Sequence, residues 1–94
     1  MVTVRAEADA GGWSCEVEVE HAGHRTSHEV RVFWADLARW GRGDQQKDVE
    51  DLVARSFAFL LEREPPGSIL RRFDLSAIER YFPEYDQEIN RAAD

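Results

Sequence analysis

Residues 13–34 read WSCEVEVEHAGHRTSHEVRVFW, and the period of this stretch decides the fold. Trp13, Cys15, Val17 and Val19 alternate with Ser14, Glu16, Glu18 and Glu20. Beyond the turn-like HAGH, the residues Thr26, His28, Val30, Val32 and Trp34 alternate with Arg25, Ser27, Glu29, Arg31 and Phe33. A period of two marks strands with one covered face. With Ala22 and Gly23 as the turn, Glu20 falls opposite Arg25, Val17 opposite His28 and Cys15 opposite Val30. Apolar then meets apolar across the pair, as register requires. Glu16 opposite Glu29 is the misfit, which Arg5 and Arg31 are expected to ease.

Working outward, the N-terminal VTVRAEA alternates in the same way, with Val2, Val4, Ala6 and Ala8 on one side. If DAGG (9–12) is a turn, Ala8 faces Trp13 and Arg5 faces Glu16. The expectation for residues 1–34 is a three-stranded antiparallel meander, with strands one and three as open edges. Such a sheet needs a cover for its apolar face. DVEDLVARSFAFLLERE supplies one, because Val49, Leu52, Val53, Ser56, Phe57 and Leu60 follow a helical stripe. We place this main helix over 44–64, with Asp44 as its N-cap and PPG at 65–67 as its stop. ADLARWG upstream reads as a short helical turn capped by Asp36.

The tail SILRRFDLSAIERYFPEYDQEI, residues 68–89, repeats apolar residues every third or fourth position. SAIE at 76–79 fits a capping box, and Pro83 suits the first turn of a further helix. Two or three short helices over 68–91 are therefore expected. In the simpler reading Ile69, Leu70, Phe73, Leu75, Ile78, Phe82 and Tyr85 close the core. In the functional reading part of the tail forms a partner groove rimmed by Arg71, Arg72 and Arg80. The fold class is α+β: a three-stranded antiparallel meander covered by one long helix, followed by short C-terminal helices, in one domain over 1–94.

The string SFAFLLEREPPGSILRRFDLSAIERYFPEY, residues 56–85, resembles a motif of small bacterial proteins of unassigned activity. The resemblance covers about a third of the chain and implies no reaction, ligand or catalytic residue. The strand-rich N-terminal half adds nothing to it.

Composition narrows the partners. A net charge of -7 repels phosphate backbones, so nucleic acid is an unfavoured partner. The single cysteine rules out an intrachain disulfide and fits a reducing cytoplasm. No apolar run is long enough to span a bilayer, and MVTVRAEADA has no signal-peptide character.

The chemistry-bearing residues form no convincing constellation. His24 and His28 lie far apart along one strand, and His21 with His24 makes at most a two-ligand pair at a turn. Cys15 and His28 fall diagonally on the covered face, where a thiol is a small hydrophobe rather than a nucleophile. Glu16, Glu18 and Glu20 line a flat outer face with no cleft to perturb them. GRGD (41–44) lacks the length and the lysine of a phosphate loop.

We therefore expect no catalytic, cofactor-binding or metal residues. The expected role is a non-catalytic interaction or regulatory domain that binds a protein partner or a second copy of itself. Phe33, Trp34, Trp40, Arg71, Arg72 and Arg80 are the candidate partner surface. The alternatives are an antitoxin-like or transcription-regulating partner protein, or a small enzyme or ligand-binding domain with a pocket between sheet and C-terminal helices.

Overall fold

The computed structural model describes residues 1–91. Strands β1 (Val2–Asp9), β2 (Gly12–His21) and β3 (His24–Phe33) form two antiparallel hairpins. The expected register is the observed one: Arg5 pairs with Glu16, Ala8 with Trp13, Val17 with His28 and Cys15 with Val30. Pairing in the first hairpin runs one step further, with Asp9 opposite Gly12. The second turn is the two-residue Ala22–Gly23, with φ of 52° and 82°. Left-handed conformation at both central residues matches the twist of the flanking strands.

Two helices follow, α1 (Trp34–Trp40) and α2 (Gln46–Leu61), and then a 3-10 turn at Pro66–Ser68. A fourth strand, β4 (Arg72–Asp74), precedes α3 (Ala77–Tyr81) and α4 (Tyr85–Arg91). The sheet is thus four-stranded and mixed, in the order β1-β2-β3-β4, and not the expected three-stranded meander. β4 runs parallel to β3, with Val30 opposite Phe73. The Glu29 N–H donates to the Arg71 carbonyl at 2.7 Å and the Leu75 N–H to that of Arg31 at 2.9 Å. A parallel partner needs a crossover connection, which α1 and α2 supply. The α+β class holds, but the tail carries a strand and two helices after its 3-10 turn.

The helix starts differ from expectation for one reason. Asp36 does not cap α1 from outside. It sits inside the first turn, and its carboxylate accepts the Phe33 N–H at 2.8 Å. Asp48 does the same for Gln45 at 3.1 Å, so α2 begins after Gln45 rather than at Asp44. At α3, Ser76 is the N-cap without a side-chain bond, and Glu79 turns instead to Arg39 at 2.8 Å.

Both sheet edges are managed. Met1 and Glu20 exchange backbone bonds, so the even-numbered amides of β1 point outward. At the middle of that edge, Glu50 accepts the Ala6 N–H and Gln46 donates to the Ala6 carbonyl, each at 2.9 Å. Two α2 side chains thereby occupy the place of a fifth strand, while β4 covers part of the β3 edge. Neither strand is the freely open edge that the sequence led us to expect.

The inner sheet face is dry. Ala6, Cys15, Val17, Val19, Val30 and Val32 lie against Val49, Leu52, Val53, Phe57 and Leu60 of α2. The Phe57 ring stacks near His28 and Phe73, with centroids at 5.3 and 6.1 Å. Burying a ring of that size stabilises by roughly 1.5–3 kcal/mol. On the far side of α2, Tyr85 packs edge-on to Trp40 and Phe59 and meets the Ser56 hydroxyl at 2.7 Å. The tail therefore completes the core through Ile69, Leu75, Ile78, Tyr85 and Ile89. Leu70, assigned by the sequence to the same task, is instead 51% exposed.

Candidate functional site

An apolar groove lies where the end of α2, the 3-10 turn, β4 and α3 meet. Its volume is about 320 Å³, and Leu60, Ile69, Phe73, Ile78 and Phe82 supply most of its wall. Pro65 and Pro66 shape one side. They end α2 and force the 3-10 turn, in which Ser68 and Ile69 donate back to the carbonyls of Pro65 and Pro66 at 2.9 and 3.2 Å. The chain leaves that turn with Ile69 buried and Leu70 facing out. On the other side α3 is closed off before Pro83, with the Phe82 N–H on the Ile78 carbonyl at 2.8 Å. That short helix inserts Ile78 and leaves Tyr81 68% exposed. Phe82 is fixed by an edge-on contact with Phe59 at 5.9 Å.

Leu70 and Tyr81 thus form two lips on an apolar cleft. Among the described residues the other large exposed apolar side chains are Met1, Phe33 and Trp34. Polar lining is sparse, limited to Glu64, Ser68 and the Tyr81 hydroxyl.

The arginines around the C-terminal elements divide into two sets. Arg63 lies over the Phe59 ring at 3.5 Å and pairs with Glu84 and Glu88, fastening α4 to α2. Arg39 lies over Trp40 at 4.3 Å and pairs with Glu79 at 2.8 Å and Asp86 at 3.3 Å. By contrast, Arg71 and Arg80 engage no ion-pair or hydrogen-bond partner through their side chains among the described residues. Both are exposed.

The six candidate surface residues do not form one surface. Arg71 and Arg80 adjoin the two lips in the chain, but neither lines the groove, and Arg71 shares a cavity over the outer sheet face with Arg5, Glu16, Glu29 and Arg72. Arg72 lies on the outer sheet face, 3.2 Å from Glu29, and so relieves the Glu16–Glu29 opposition in the role expected of Arg31. Arg31 goes to Asp9 at 3.2 Å. Phe33 and Trp34 belong to another region, beside the β1–β2 turn, where the Trp34 N–H meets the Gly11 carbonyl and the ring meets Trp13 edge-on at 6.4 Å. Trp40 is a correction. It is buried to 2% exposure, its indole N–H bonded to Asp86 at 2.8 Å, and it serves the core. Its spacing from Leu37, i and i+3 on one helix face, carried that information.

The histidine and cysteine positions are equally specific. The His28 Nδ1 faces the Leu70 carbonyl at 2.8 Å, and a carbonyl only accepts, so Nδ1 carries the proton. Nε2 lies 2.8 Å from the Thr26 hydroxyl. With both ring nitrogens engaged, His28 is a brace for the backbone at the groove's lip rather than a base for Cys15. Burial, reinforced by Glu50 and Asp9, pushes the Cys15 thiol up to about 12, far from a thiolate at neutral pH. His21 and His24 face each other across the hairpin turn. No group of three or more His, Cys, Asp or Glu side chains suited to a metal comes together among the described residues. Nor is any helix among them long and apolar enough to cross a membrane.

Comparison of the chain with protein-family models, curated proteins and solved structures gives no match.

Proposed function

We propose that this chain is a non-catalytic protein-interaction domain whose C-terminal groove receives an apolar anchor side chain from a partner protein. One observation carries the reading: Leu70 and Tyr81 stand exposed on either side of a cleft whose floor is almost wholly apolar. Holding two large apolar side chains in water sacrifices burial that a small core needs, and contiguous apolar surface of this kind marks contact sites. A small-molecule or enzyme reading asks for convergent polar groups to orient a substrate, and the cleft offers only Glu64, Ser68 and the Tyr81 hydroxyl among its apolar lining. A buried anchor in a dry pocket is the usual energetic centre of a protein contact.

The test compares proteins retained from the native host by the wild-type domain with those retained by Leu70→Glu and Tyr81→Glu variants. Both side chains are exposed, so the substitutions leave the core intact. A partner held by the wild type and released by either variant is expected. Identical retained proteins, or none, refute the groove as the contact site.

A further inference from the structure

We infer that two copies of this chain pair edge to edge along β4, antiparallel about a two-fold axis, so that two four-stranded sheets become one of eight strands. The inference goes beyond the groove reading and does not depend on it, since it uses the backbone edge of β4.

Gln46 and Glu50 guard β1, and β4 covers part of β3, which leaves β4 as the last strand of the sheet. The Arg71 carbonyl and the Leu75 N–H both bond to β3, so the backbone groups of the odd-numbered residues face β3. Those of Arg72 and Asp74 therefore point away from the sheet. Neither N–H, nor the Arg72 carbonyl, has a hydrogen-bond partner among the described residues. On the outer face the Arg72 side chain is exposed and lies 3.2 Å from Glu29. The Asp74 carboxylate beside it holds no ion pair or hydrogen bond among the described residues. On the inner face Phe73 is only half-buried, although Val30 opposite it is 1% exposed. Backbone, charge and apolar surface are all unsatisfied along the same short edge.

These features fit a second copy in one register. A two-fold axis makes the two β4 strands antiparallel and the contact self-complementary. Outward-pointing groups meet if Arg72 faces Arg72, if Asp74 faces Asp74, or if Arg72 faces Asp74. The first two set like charges against each other at the axis, which destabilises a strand pair. The third sets Arg72 of each copy beside Asp74 of the other, twice, and brings the two Phe73 rings together at the axis. Each Arg72–Asp74 pair then exchanges two backbone bonds, while Phe73 falls at the non-hydrogen-bonded position where facing side chains are closest. An unrelated strand could use the same backbone edge, but this chain carries the matching charges at the matching spacing.

The experiment is sedimentation equilibrium of the full chain, as the wild type and as the charge variants Arg72→Asp and Asp74→Arg. Both side chains are exposed, and circular dichroism checks that each variant is folded. A wild-type dimer is expected. Each variant alone meets like charge twice across the axis, so its dissociation constant should rise roughly ten-fold. An equimolar mixture of the two variants restores both opposite-charge pairs and should dimerise as tightly as the wild type. Hydrogen exchange at the Arg72 and Asp74 amides, followed by NMR, should slow as the wild-type concentration rises. A strict monomer at high micromolar concentration, or a dimer whose two variants fail to rescue one another, overturns the inference. So does a dimer that Leu70→Glu dissociates while both charge variants leave it intact, a result that assigns the groove to the second copy.

Discussion

The hydroxyl pair between α2 and α4 predicts a reversal that simple counting of lost bonds would miss. Ser56 and Tyr85 are buried, with their oxygens 2.7 Å apart, and the Ser56 hydroxyl also reaches the Leu52 carbonyl at 2.8 Å. Ser56 has one proton, which goes to that carbonyl, so Tyr85 donates and Ser56 accepts. Tyr85→Phe then removes a single neutral bond and orphans nothing, at a cost of about 0.5–1.5 kcal/mol. Ser56→Ala strands the Tyr85 hydroxyl in a dry site, at a cost of about 1–3 kcal/mol. Adding Tyr85→Phe to Ser56→Ala removes the stranded group, and the edge-on packing against Trp40 and Phe59 survives in phenylalanine. The double variant should therefore be at least as stable as Ser56→Ala alone. Urea unfolding followed by tryptophan fluorescence measures the cycle. For a domain this small, each 1 kcal/mol corresponds to roughly 4–8 °C in Tm. Strict additivity, with Tyr85→Phe costing as much in the Ser56→Ala background as in the wild type, would refute the assigned donor and acceptor.

Two further outcomes follow from the sheet. Cys15, with its thiol raised from 9.0 to about 12 by burial, should resist iodoacetamide at pH 8 in the folded protein and react fully in urea. The same shift has a sign in stability: the folded state holds its proton longer, so the contribution is intact below pH 9.0 and is lost as pH climbs toward 12. Cys15→Ala should flatten that part of the alkaline profile. Removing the guard on β1 by Gln46→Ala with Glu50→Ala should free the Ala6 amide and carbonyl, and light scattering should then rise with concentration faster than in the wild type. Equal scattering would mean that the edge is protected by something other than these two side chains.

The two hairpins were readable because strand alternation and turn chemistry agree residue by residue. Cys15–Val30 and Val17–His28 can face each other in only one register. The main helix was readable from its stripe, with its start displaced because the Asp48 carboxylate reaches back to Gln45 from within the first turn. β4 was not readable. Three residues are too few to declare a period, and Arg72–Asp74 becomes a strand only through the edge that β3 presents to it. The same shortfall hid the groove. Ile69 and Leu70 look alike as letters, and only the docking of the 3-10 turn sends one inward and the other into water. Arg71, Arg72 and Arg80 make a rim by charge alone, and the structure sets Arg71 and Arg72 together beside Glu16 and Glu29 of the sheet, with Arg72 3.2 Å from Glu29.

The late strand also sets a timetable for the chain as it is made. His28 and the outer side of β3 are synthesised early, yet their backbone partners at Leu70 and Arg71 emerge more than a helix later. Until those residues clear the ribosome, the first hairpins wait with one flank unpaired and a histidine lacking its acceptor. Closing so wide a sequence gap is slow compared with forming a local turn. Chaperone contact during synthesis should accordingly concentrate on the interval between the appearance of β3 and that of β4.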